Sequence, residues 1–237
     1  SGATDKGTWF DHPNMSDLAS VLETLRQVAV DTNKLWADKL GIEQSTAITC
    51  VKPSGTVSQL VDSASGIHAR FSPYYVRRVR QDVKDPLTQL LIDQGVPFEA
   101  DVTNPNNMVF SFPQKAPEGA LCTKDMNAMR QLELNAVYED SWTEHKVSQT
   151  VYYSDDEFLE TMQWVWENLD KSSGVSFLPR TDHVYQQAPY EEITAEQYEE
   201  LVKGLPEIDW SKLSDYESED MTEGAQTLAC VAGQCEI

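Results

Sequence analysis

Apolar residues recur at near-helical spacing through residues 14–40, at Leu18, Val21, Leu22, Leu25, Val28 and Val30. That period, with Ser16 as a candidate cap and Gly41 just beyond, predicts a long helix. The period then changes. TAITCV (46–51) is largely β-branched and carries no charge, which predicts a strand buried on both faces. Further along, DPLTQLLIDQG (85–95) predicts a short helix stopped by Gly95, and NMVFSFP (107–113) a strand. DMNAMRQLELNAVYEDSW (125–142) predicts a helix and KVSQTVYY (146–153) a strand. SDDEFLETMQWVWENLD (154–170) carries Ser154 and Glu157 at the spacing of a capping box and predicts another helix. GVSFLP (174–179) reads as a last strand, and EEITAEQYEELVKGL as an acidic helix.

Strands alternating with helices predict an α/β fold with a parallel or mixed sheet covered by helices. Four such strands are too few to close a barrel of eight or ten, and fit half of one. The pattern fades after about residue 188, and 215–229 reads as a tether. This divides the 237 residues into a barrel portion, 1–187, and an acidic extension, 188–237. The chain opens at Ser1 without a Met, so it is expected to be cut from something longer.

Composition is that of a globular protein, but the charge is not neutral: 39 acidic and 18 basic residues give a net charge of -21. Residues 191–237 alone hold 13 carboxylates against two lysines. So acidic a surface repels nucleic acid and anionic membranes, and no apolar run reaches the ~18 residues of a membrane span. DNA, RNA and membrane partners are therefore not expected, and the expected location is the cytoplasm. Any anionic ligand must be held locally, by oriented amides or a few cations.

One stretch could do this. The strand predicted at 46–51 runs into Lys52-Pro53-Ser54-Gly55-Thr56-Val57-Ser58. Small residues beyond the carboxyl end of a strand expose successive N–H groups where α/β sheets place ligands, and Ser54, Thr56 and Ser58 add hydroxyls. The same residues also suit a plain strand-to-helix turn, and no Gly-Lys-Thr of a Walker loop follows. His68, just after, suits a turn or packing role, with a second possibility of bordering a ligand cavity. Arg77, Arg78 and Arg80 form the densest positive patch; pairing with carboxylates accounts for about half of it, and contact with triphosphate oxygens is the alternative. Trp164 and Trp166, with Phe158 and Met162, read as core packing.

Of the four cysteines, Cys50 reads as a buried inert thiol and Cys122 as an incidental residue of a surface connection. Cys230 and Cys235 stand together in LACVAGQCEI, with no His nearby and without zinc-ligand spacing, so no metal is expected there. Such a pair can serve thiol–disulfide exchange.

Taken together, KPSGTVSQLVDSASGIHARFSPYYVRRVR (from Lys52), WTEHKVSQTVYY (from Trp142), GVSFLPRTDHVYQQAPY (from Gly174) and the closing LACVAGQCEI resemble the ribonucleotide reductases. The likeness is greatest to the adenosylcobalamin-dependent class II enzymes that reduce ribonucleoside triphosphates. It runs in consistent order from about residue 5 to the end. The resemblance implies the C-terminal portion of a ten-stranded α/β barrel followed by an acidic, flexible tail. It implies that Pro53, Ser54, Gly55, Thr56, Val57 and Ser58 seat the phosphates of a ribonucleoside tri- or diphosphate. It also implies that Cys230 and Cys235 re-reduce the active site and are themselves reduced by thioredoxin. Adenosylcobalamin is the implied cofactor, bound by the complete enzyme. The cysteine that becomes a thiyl radical does not occur here, so the chain is expected to need the missing N-terminal part of the reductase and to be inactive alone. The competing reading is an acidic, non-catalytic interaction module whose dithiol docks a thioredoxin-like partner.

Overall fold

A computed structural model describes residues 15–52, 54–55, 57–170, 174–180 and 186–217. In chain order the elements begin α1 (Met15–Leu40), α2 (Val57–Leu60), β1 (Tyr74–Asp82), α3 (Pro86–Asp93), β2 (Phe98–Ala100) and β3 (Asn107–Lys115). They continue α4 (Ala128–Ser141), β4 (Thr150–Tyr153), α5 (Phe158–Glu167), β5 (Ser176–Pro179), β6 (Tyr190–Glu192), α6 (Ala195–Gly204) and α7 (Leu213–Tyr216). Two compact units result. The first draws on the described residues of 1–70 and 117–181, the second on those of 71–116 and 182–237.

In the first unit α1 packs on α4. Leu18 and Leu22 are buried with Ile67, Met126, Leu134 and Val147. The helix is described from Met15. Its predicted stripe is only half used, because Leu25 and Val28 stay 50% and 58% exposed. The Asn127 side chain caps α4 by accepting from the Arg130 amide at 2.8 Å. The other side of α4 buries Ala128 and Leu132 on Val151, with Trp164 and Phe177 packed alongside. The predicted capping box forms: the Glu157 carboxylate accepts from the Ser154 amide (2.8 Å) and hydroxyl (2.7 Å). It also accepts from the Ala128 amide at 2.8 Å, tying the start of α5 to the start of α4. Of the residues expected to be core, Trp164 is partly buried against the cluster, whereas Trp166 is 77% exposed and Phe158 43%. Ten helical residues can turn only one stripe toward so small a sheet.

In the second unit the sheet order is β2-β3-β1-β6, every pairing antiparallel. Leu91, Val96 and Phe110 form its core, joined by Leu205 and Ile208. Asp85 caps α3 by accepting from the Leu87 amide at 2.8 Å, and Pro86 opens the helix. Gly95, at φ +82°, ends that turn as predicted. Of the clustered arginines, Arg78 pairs with Glu191 and Arg80 with Asp101 at 3.2 Å. Burial opposes charge on Asp101, but the Thr103 amide and hydroxyl and then Arg80 outweigh it, holding the carboxyl below the usual range.

Three expectations are corrected. The expected parallel or mixed sheet is not a single sheet: among the described residues β4 and β5 pair in parallel, and β2, β3, β1 and β6 form a separate antiparallel sheet. The unit β1-α3-β2 keeps the parallel sense, but β3 turns back between β1 and β2 after a hairpin too short to show in the residue pattern. TAITCV forms no strand and has no ladder partner among the described residues, and only Thr49 in it is buried. Cys122 is 5% exposed, not part of a surface connection, because its neighbours bond to both sides of Arg70: the Arg70 amide to the Leu121 carbonyl (2.9 Å) and the Thr123 amide to the Arg70 carbonyl (2.8 Å).

Among the described residues no helix is long and apolar enough to cross a membrane.

Candidate functional site

The loop after residues 46–51 is braced from within. The Ser54 hydroxyl accepts from the Ser58 amide at 3.1 Å, and the Ser58 hydroxyl donates back to the Ser54 carbonyl at 2.7 Å. The Ser65 hydroxyl donates to the same carbonyl at 2.6 Å. Ser58 is therefore buried under the loop, 1% exposed, and its hydroxyl proton is committed to the loop's own shape. Of the predicted seat, Ser54, Gly55 and Val57 face a shared cavity. Pro53 and Thr56 lie outside the described residues, as do Cys230 and Cys235.

The cavity encloses about 700 Å³. Its apolar wall is Leu22 and Leu25 of α1, Val51, Ile67, and Tyr138 and Trp142 at the end of α4. Burial raises the Tyr138 hydroxyl pKa, so that side chain is neutral. Lys52 is the one charged residue among the described residues that line it. In a chain of net charge -21, the charge that the described residues bring to this wall is a cation. Cys50, expected to be buried, is half-buried, a free thiol, and lines the same space.

His68 holds the far side of the loop. Its Nε2 receives the Thr150 amide at 2.9 Å, and an amide can only donate, so Nε2 carries no proton. The proton is then on Nδ1, 2.9 Å from the Ser65 carbonyl to which it donates. Burial lowers the His68 pKa against the opposing Ser65 bond, so the ring is neutral. Its neighbours Gly66 and Ile67 line the cavity.

Reading the residues singly missed Lys52, Tyr138 and Trp142. Lys52 could have been found as the cation directly preceding Pro53. The two aromatics carry no local signal, since they reach the loop from α4 and its end, more than 80 residues away in sequence.

A volume of about 700 Å³ lies within the range of small-ligand sites, and the lining combines apolar side chains with Lys52, Ser54 and Gly55. A corrinoid is much larger, and these residues do not form a seat for one.

No protein-family model matches the chain. It is 34% identical over 199 residues to the adenosylcobalamin-dependent ribonucleoside-triphosphate reductase of Euglena gracilis, covering 83% of this chain and 27% of that one. It is 32% identical over 192 residues to a probable enzyme of the same name from Dictyostelium discoideum, covering 78% and 25%. It is 30% identical over 232 residues to that of Lactobacillus leichmannii, covering 92% and 30%. The crystal structure of a B12-dependent (class II) ribonucleotide reductase superimposes with a TM-score of 0.73 at 25% identity, over 87% of this chain and 29% of that one. The chain thus spans about a quarter to a third of the length of the relatives it matches.

The His68 geometry sets a pH dependence. A base whose folded pKa lies below its ordinary 6.5 is protonated more readily in the unfolded chain. Its contribution is complete above that value and is lost as pH falls through the lowered folded pKa. Urea denaturation should show stability declining from about pH 6.5 downward. His68→Phe should remove that dependence and cost about 1–3 kcal/mol, the penalty of leaving the Thr150 amide unpaired. An unchanged pH dependence in His68→Phe would contradict the assignment.

Proposed function

This chain belongs to the adenosylcobalamin-dependent (class II) ribonucleotide reductases, and we propose that in the complete enzyme it seats the substrate's phosphates and supplies the dithiol that resets the active site. The enzyme converts ribonucleotides, most simply triphosphates as in its relatives' names, to 2′-deoxyribonucleotides. The observation that carries the seat is the cavity of about 700 Å³ in which Lys52, the one charged lining residue among the described residues, stands beside Ser54 and Gly55. Pro53, Thr56 and Val57 complete the loop in sequence, and Ser58 shapes it from beneath.

In this reading Lys52 supplies charge to the phosphate tail, and the Gly55 backbone allows close approach because no side chain intervenes. The wall from Leu22 to Trp142 offers apolar surface to the less polar part of the ligand. The remainder of the reductase contributes adenosylcobalamin and the thiyl radical, and the chemistry of radical generation is the cofactor's. His68 borders the site as a brace.

Residues 188–237 form the acidic extension and its redox arm. Reducing one ribose leaves one disulfide in the active site. A thiolate of the Cys230/Cys235 pair attacks it, forming a mixed disulfide that the second thiol resolves. The active site regains its dithiol, the pair becomes a disulfide, and two electrons with two protons have moved inward. Thioredoxin, in the cytoplasm, then reduces the pair. An arm is needed because a folded reductant cannot enter the barrel, and a tether keeps the dithiol at an effective concentration on the order of millimolar.

Two measurements on the intact reductase check this. Lys52→Met should raise KM for the ribonucleotide about 5-fold, equivalent to ~1 kcal/mol for a solvent-accessible charge contact, while kcat changes little. An unchanged KM would remove Lys52 from the seat. Cys230→Ser or Cys235→Ser should abolish thioredoxin-driven turnover and preserve turnover driven by dithiothreitol. Equal loss with both reductants would reject the shuttle, and a protein that binds thioredoxin yet reduces no ribonucleotide when assembled would be an interaction module instead.

A further inference from the structure

The segment 46–51 enters the loop without a ladder partner among the described residues, yet its backbone is held group by group. One oxygen of the Glu144 carboxylate accepts from both the Ile48 amide and the Thr49 amide, the latter at 3.2 Å. The Glu144 amide donates to the Thr49 carbonyl at 2.9 Å. The Thr49 hydroxyl donates to the Trp142 carbonyl, and the Trp142 indole N–H donates to the Cys50 carbonyl at 3.1 Å. Residues 142–144, just past the end of α4, thus present donors and acceptors in the places where a neighbouring strand would put them. Arg26 of α1 stands 3.6 Å from the other Glu144 oxygen. The amides of Ile48 and Thr49, and then Arg26, hold the Glu144 carboxyl below the usual range, so it stays ionised as an acceptor.

The next residues in the chain, Cys50 to Lys52, line the cavity, and Trp142 belongs both to the clamp and to the cavity wall. We propose that Glu144 is a positioning residue of the phosphate seat: by clamping Ile48 and Thr49 it fixes where Lys52 and the Ser54-Gly55 turn stand relative to the Trp142 wall. This rests on the reading of that loop as the seat. Glu144 itself does not line the cavity, so its effect is on placement and not on contact.

The test uses the intact reductase with a ribonucleoside triphosphate as the varied substrate and Lys52→Met as the reference. Glu144→Ala should raise KM about 10-fold with kcat within about 2-fold, because the loss of a charge-assisted acceptor leaves two amides unheld. Glu144→Gln, which keeps one carbonyl oxygen in place, should recover most of that loss. Amide hydrogen exchange should show protection lost at Ile48 and Thr49 in Glu144→Ala and retained across α4 and β4. Exchange that speeds up throughout the unit would make Glu144 a general structural residue and overturn the proposal. So would a KM left unchanged by Glu144→Ala while Lys52→Met raises it, which leaves the seat itself standing. If neither variant alters KM, the seat and its positioning residue fall together.

Discussion

An anion can settle on a protein of net charge -21 only where a local cation and local dipoles outweigh the carboxylates around it. The wall of the cavity meets that constraint with little material: Lys52 at the mouth, small residues beside it, and apolar side chains behind. The apolar wall matters as much as the charge. Lys52 is itself exposed, so its charge alone contributes little to binding, and the apolar side chains of Trp142, Tyr138 and Leu22 supply the rest of the contact surface.

The rest of the first unit serves to keep that mouth in shape. Ser54, Ser58 and Ser65 bond to one another, and His68 connects the far end of the loop to the start of β4. The near end is fixed by the clamp at Trp142 and Glu144. Each hydroxyl and amide used in this way is unavailable to a ligand, which is why the loop offers fewer donors than its run of hydroxyl residues suggests. Ser58 is the clearest case, with its side chain turned beneath the loop.

What was legible in the residue pattern was local. The start and stop of α3 at Asp85, Pro86 and Gly95, and the Ser154–Glu157 box, depend on residues within a few positions of one another, and the structure forms them as read. What was not legible depends on distant partners. TAITCV has the composition of a buried strand, but the acceptor for its amides is a carboxylate 95 and 96 residues further along the chain. Cys122 is buried because Arg70 pairs with its neighbours, and β3 reverses the sheet through a three-residue β2 that no periodicity could mark. The loop 53–58 was identifiable by its small residues and by resemblance, while the wall that turns it into a cavity comes from helices on either side of it in sequence.

The central claim concerns where a phosphate rests. The most direct measurement is a crystal structure of the intact reductase with a bound ribonucleoside triphosphate. This account predicts phosphate oxygens within hydrogen-bonding distance of the Gly55 amide and the Lys52 ammonium, with the Ser58 hydroxyl still turned to the Ser54 carbonyl. Phosphates bound elsewhere, with the loop unchanged and nothing at its mouth, would contradict it.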